Sequence, residues 1–91
     1  MLYVDLSLKE IKQKLIENGY TKTSSKRFIR YEKQYNDSDI TIGVEISKYH
    51  NIFEIMCYWR YGFNAYKNNT ILTEMSQQLA QVFKDNLIAN E

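Results

Sequence analysis

Ile40-Thr41-Ile42-Gly43-Val44-Glu45-Ile46-Ser47-Lys48-Tyr49-His50-Asn51-Ile52-Phe53-Glu54-Ile55-Met56-Cys57-Tyr58-Trp59-Arg60-Tyr61 is the stretch whose reading decides the fold. Its first half alternates Ile40, Ile42, Val44 and Ile46 with Thr41, Gly43, Glu45 and Ser47, the period of a strand with one face buried. Tyr49-His50-Asn51 supplies turn residues. The second half then puts Phe53, Ile55, Cys57, Trp59 and Tyr61 on one side and Ile52, Glu54, Met56, Tyr58 and Arg60 on the other. The first set is the more apolar, so it should face the core, and the second should face outward. Two such runs joined by a short turn predict an antiparallel hairpin.

Upstream, Asn36-Asp37-Ser38-Asp39 reads as another turn, preceded by Lys26–Tyr35, a third strand rich in aromatic and β-preferring residues. Its two faces both carry apolar side chains, which leaves its inward parity open. Before it lies the best-marked helix, Ser7–Asn18. Ser7 and Glu10 have the spacing of a capping box, Leu6 and Ile11 that of a hydrophobic staple, and Leu8, Ile11 and Leu15 recur on one face. Gly19 supplies the left-handed residue that ends many helices, with Tyr20 placed to fold back on Leu15. Leu2, Val4 and Leu6 alternate with period two, which allows a short extra N-terminal strand. Downstream, Leu72, Met75, Leu79, Val82, Phe83 and Leu87 trace the stripe of a last helix, capped by Asn69 or Thr70. The expected fold is therefore α+β, a two-layer sandwich of helix, three-stranded antiparallel meander and helix, with one sheet face open.

The chain has 91 residues, 44% hydrophobic and 14% aromatic. It fits a single domain spanning 1–91, with apolar content too high for disorder. Lysine and arginine number 12 against 11 acids, so no net charge draws the whole chain to nucleic acid or membrane. The distribution is uneven: residues 1–33 hold 8 basic and 4 acidic side chains, residues 34–91 hold 4 and 7. A lone Cys57 excludes an internal disulfide. Met1-Leu2-Tyr3-Val4-Asp5 has no basic run followed by an apolar stretch, and no segment approaches membrane-spanning length, so a cytoplasmic protein is expected.

Catalytic parts are scarce. His50 is the single histidine and falls in a turn; Cys57 falls on the inward strand face, where cysteines are inert core residues. No spacing suggests a metal site, no glycine-rich loop suggests a phosphate site, and no cofactor is implied. The residues that suggest contact are aromatic and basic. Arg30, Met56, Tyr58, Arg60 and Tyr61, with Phe63 and Tyr66 in the following glycine-containing loop, form a candidate partner-binding surface, because Tyr, Trp and Arg are the usual anchors of interfaces. The alternative is a nucleic-acid-binding module in the basic first third, with Lys22, Lys26, Arg27, Arg30 and Lys33 around Phe28 and Tyr31 contacting phosphates and stacking bases. The plainer reading of those cations is an edge strand protected against aggregation. Either a monomer or a homodimer through a free edge or the open face is compatible with this pattern.

Asn18-Gly19-Tyr20 at a helix end, followed by Ser24-Ser25-Lys26-Arg27-Phe28 entering a strand, resembles the double-stranded-RNA-binding domain and HicA-type toxins, whose element order is similar. The histidine of the HicA-type toxins has no counterpart, as Lys26 and Arg27 occupy that neighbourhood. In size, layout and Asn-, Lys-, Ile- and Tyr-rich composition, the chain also resembles small phage or mobile-element inhibitors of the anti-CRISPR type. That resemblance implies a non-enzymatic regulator or inhibitor acting on a larger protein or nucleoprotein.

Overall fold

The computed structural model describes residues 1–62, 64–65 and 69–88. The chain runs β1 (Leu2–Val4), α1 (Leu8–Glu17), β2 (Thr21–Lys22), β3 (Ile29–Gln34), β4 (Ile40–Tyr49), β5 (Ile52–Tyr61), β6 (Asn64–Ala65) and α2 (Asn69–Val82), ending in a 3-10 turn, Lys84–Asn86. The fold is α+β, but the expected three-stranded sheet is wrong. Among the described residues five strands lie in the order β1-β5-β4-β3-β2, all pairs antiparallel, and the dipeptide β6 pairs beside β5.

The extra strands are short: β1 is the N-terminal strand that the alternation of Leu2 and Val4 allowed, and β2 is made by pairing rather than by side-chain pattern. β1 aligns Leu2 with Ile55 and Val4 with Phe53. Its opposite edge is partly occupied by the C-terminal segment: Asp5 N–H donates to Asn86 O at 2.8 Å and Ile88 N–H to Tyr3 O at 2.9 Å. β2 aligns Thr21 with Glu32 and Lys22 with Tyr31, forming a hairpin with β3. That hairpin explains why the strand expected at Lys26–Tyr35 begins only at Ile29. Residues 23–28 form its connection, in which Ser25 N–H bonds Phe28 O and Ser24 Oγ accepts from Arg30 N–H. The resemblance built on Ser24–Phe28 entering a strand is thus carried by a loop.

α1 forms as its sequence dictates. The Ser7 side chain accepts from Glu10 N–H at 3.2 Å, and the Glu10 carboxylate reaches back to Ser7 N–H at 3.4 Å. Gly19, at φ +88°, ends the helix in a Schellman motif: Tyr20 N–H bonds Leu15 O at 3.0 Å and Gly19 N–H bonds Ile16 O at 3.1 Å. Ile11 and Leu15 are buried from this helix. In α2 the buried line is Ile71, Met75, Leu79 and then Phe83, one residue per turn. Asn69 lies inside this helix, not at its cap. Leu87, expected on its stripe, has left it to bridge Val4 of β1.

These side chains meet Tyr31, Ile42, Val44, Ile46, Ile55 and Trp59 in one core on one side of the sheet. The Cys57 thiol also points that way, 3.8 Å from Ser76 Oγ of α2. Tyr61 departs from its expected burial; at the end of β5 it is 48% exposed. No helix among the described residues is long and apolar enough to cross a membrane.

Candidate functional site

Antiparallel register sets which side chains share the uncovered face. One row across the sheet runs Arg30, Glu45, Met56; the next runs Thr21, Glu32, Gly43, Tyr58; the third runs Gln34, Thr41, Arg60. Gly43 is the empty place in this array. A Cβ there would stand 2.6 Å from Tyr58 Oη and closer still to Cζ. The missing side chain lets the Tyr58 ring lie flat across β4, the close approach that a glycine inside a strand commonly marks.

Crossing β4 brings Tyr58 to Glu32 on β3, and its hydroxyl donates to Glu32 Oε2. Arg60 reaches the same carboxylate, Nη2 to Oε1 at 3.0 Å and Nε to Oε2 at 3.4 Å, while its Nη1 donates to Gly62 O at 2.9 Å. Arg30 pairs with Glu45 at 2.9 Å. Its guanidinium carbon also lies 4.3 Å from the Phe28 ring centroid and 5.6 Å from that of Tyr58, within range of a cation–π attraction. The two pairs are unequal: the Glu32 side chain is only 11% exposed, and both arginines are near 40%.

This lattice sets the protonation of its members. Burial pushes the Glu32 carboxyl up, but hydrogen bonds from Arg60 and Tyr58 and the charges of both arginines outweigh it, leaving the group below its usual value. The Tyr58 hydroxyl is held well above the ordinary tyrosine range by burial and by the adjacent Glu32 carboxylate. At neutral pH Glu32 is therefore an acceptor and Tyr58 a donor, which is the arrangement observed.

Beside the lattice the same face turns apolar. Met56 is 40% exposed, and the Tyr49 ring packs, tilted by 52°, against Tyr3 of β1 with centroids 5.0 Å apart. His50, at φ +54° in the turn after β4, sets its ring edge-on to Tyr49 at 4.6 Å and is exposed. Burial raises the Cys57 thiol above its ordinary value, which keeps it protonated and a poor nucleophile on the opposite, core side of β5.

The structure thus gathers Arg30, Met56, Tyr58 and Arg60 on one face; Tyr61, paired with Ile40, has the core-side parity and is exposed at the end of β5, and Phe63 and Tyr66 lie outside the described residues. It does not gather the five cations of the alternative surface. Lys33 lies behind the sheet, its ammonium on Asn18 O at 3.2 Å and 4.6 Å from the Tyr20 ring centre. Lys22 shares that rear parity through its pairing with Tyr31. Lys26 and Arg27 are exposed in the β2–β3 connection, and Arg30 is spent on Glu45 at the front.

Glu32, Gly43 and Glu45 complete the front surface and were not singled out by sequence as site residues; Phe28, expected beside the basic residues of the alternative surface, joins it through Arg30. Glu45 and Gly43 were readable as outward from the clean alternation of β4. Glu32 was not, because Tyr31, its neighbour, and Phe28 made both parities of that strand look apolar. No protein-family model matches the chain, and no curated protein or solved structure matches it.

Proposed function

We propose that the protein is a non-enzymatic binding protein that regulates or blocks a larger protein or nucleoprotein, using the open face of its sheet as the contact surface. The observation that carries this reading is the preorganised patch: Tyr58 seated over Gly43, and Arg60 and Arg30 fixed by Glu32 and Glu45, beside exposed Met56. Rings and guanidiniums already held in one rotamer lose little entropy on contact, which favours binding. Such residues are also the types that dominate interface energetics. The setting we propose is the cytoplasm of a host invaded by a phage or mobile element, supported by size, layout and composition alone.

The test is quantitative capture of the partner from nuclease-treated host lysate by the tagged protein. Tyr58→Ala and Met56→Asp should each weaken capture by about tenfold or more, the scale of a buried interface anchor, with unchanged circular dichroism. Capture by both variants equal to the parent overturns the reading. A partner released by nuclease or moderate salt would instead favour nucleic-acid binding.

A further inference from the structure

We propose a second docking surface, on the helix side of the sheet: the groove along the flank of α1 takes an acidic, amphipathic helical segment of a partner protein. The groove has a volume of about 700 Å³ and is lined by Leu8, Lys9, Lys12, Gln13 and Ile16, with Tyr31 of β3 beneath. Leu8, Lys12 and Ile16 follow one another at single-turn spacing, forming a ridge along the helix. Ile16 is 59% exposed although its neighbour Leu15 is fully buried. Leu8 packs in part against the core, so Ile16 is the apolar side chain that this flank leaves available.

Charge selects the occupant. Among the described residues the ion pairs are Arg30–Glu45 and Arg60–Glu32, both on the far face of the sheet. Lys9 and Lys12 in the groove have no carboxylate within ion-pair distance, and Lys22, paired with Tyr31, adds a third ammonium on the same side of the sheet. Glu17, the acid that lines the groove, accepts instead from Gln13 at 3.2 Å. A lysine rim around an aliphatic floor complements a helix with glutamates flanking leucines, whose ridge fits beside that of α1. A nucleic acid fits less well. Tyr31 is only 3% exposed, so the groove offers no ring on which a base can stack.

The test uses the whole chain and fluorescence anisotropy with three dye-labelled probes. These are a synthetic amphipathic Glu/Leu helix, a scrambled peptide of the same composition, and a single-stranded oligonucleotide. The helix should bind with Kd in the range of about 10–100 μM, and the scrambled peptide about tenfold more weakly. Ile16→Gln and Lys9→Glu, both at exposed helical positions that suit the new residue, should each cost about tenfold; Lys9→Arg should restore binding. Met56→Asp, across the sheet, should leave it unchanged, which separates this surface from the open face. Absence of helix binding, equal binding of the scrambled peptide, tighter binding of the oligonucleotide, or indifference to both Ile16→Gln and Lys9→Glu each overturns the proposal.

Discussion

On the inner face of the sheet Ile42, Val44, Ile46, Ile55 and Trp59 pack beneath two helices, each no more than 8% exposed. On the outer face the alternate residues of the same two strands, Gly43, Glu45, Met56, Tyr58 and Arg60, meet each other and β3, with neither helix of the described residues on that side. The inner set is held by burial, which contributes roughly 1.5–3 kcal/mol for each large side chain and asks little about direction. The outer set is held by hydrogen bonds and partly exposed ion pairs, each contributing about 0.2–1.5 kcal/mol net but fixing the position of every ring and guanidinium. One face stabilises the fold; the other orients functional groups on it.

That division is tested most severely by Phe83→Ala. Phe83 is fully buried at the foot of α2, so its loss should cost about 3–5 kcal/mol through lost transfer energy and an incompletely closed cavity. Urea unfolding of the variant should show a large fall in midpoint. A cost below that of Tyr58→Ala would mean that the core is not the main source of stability and would break the comparison.

Gly43→Ala is the next largest and joins the faces. The new methyl collides with the Tyr58 ring, and the ring cannot yield without abandoning Glu32. A loss of about 1–3 kcal/mol is expected, the usual penalty of overpacking. In the double variant Gly43→Ala, Tyr58→Ala most of the clash should disappear, giving a coupling energy of at least about 1 kcal/mol in a double-mutant cycle. Additive losses would show that Tyr58 is not seated on Gly43.

How much of this was legible in sequence follows the same division. The inner face rests on periodicity: Ile42, Val44, Ile46 and Ile55 were readable because alternation over a long strand outvotes any single residue. The α1 caps were readable because Ser7, Glu10 and Gly19 act within a few residues of each other. β1 was allowed by the alternation of Leu2 and Val4, whereas the dipeptide β2 carries no period of its own and owes its existence to pairing with Tyr31 and Glu32. The outer lattice was half legible. Met56, Tyr58 and Arg60 follow from strand parity, whereas Glu32 depended on the register of β3, which its mixed apolar faces obscured. The spread of Lys22, Arg30 and Lys33 over opposite faces was hidden for that same reason.

The smallest effect is also the one most specific to the outer face. Glu32 has a carboxyl held below its usual value of 4.5 in the folded protein. It therefore binds protons more weakly folded than unfolded, and its contribution is present above the unfolded value and lost as the pH falls through the folded one. In Glu32→Gln the amide still accepts from Tyr58 but no longer pairs with Arg60. At pH 7 the loss should be about 1 kcal/mol, kept small by the exposure of Arg60. As the pH falls through the folded value, which lies below 4.5, the parent loses the same pair by protonation, so the two stability curves should converge at acid pH. Urea midpoints measured from neutral to acid pH give the result directly. A constant gap across that range would assign the effect of Glu32 to packing alone, and the two faces of the sheet would then differ in composition but not in the kind of force that holds them.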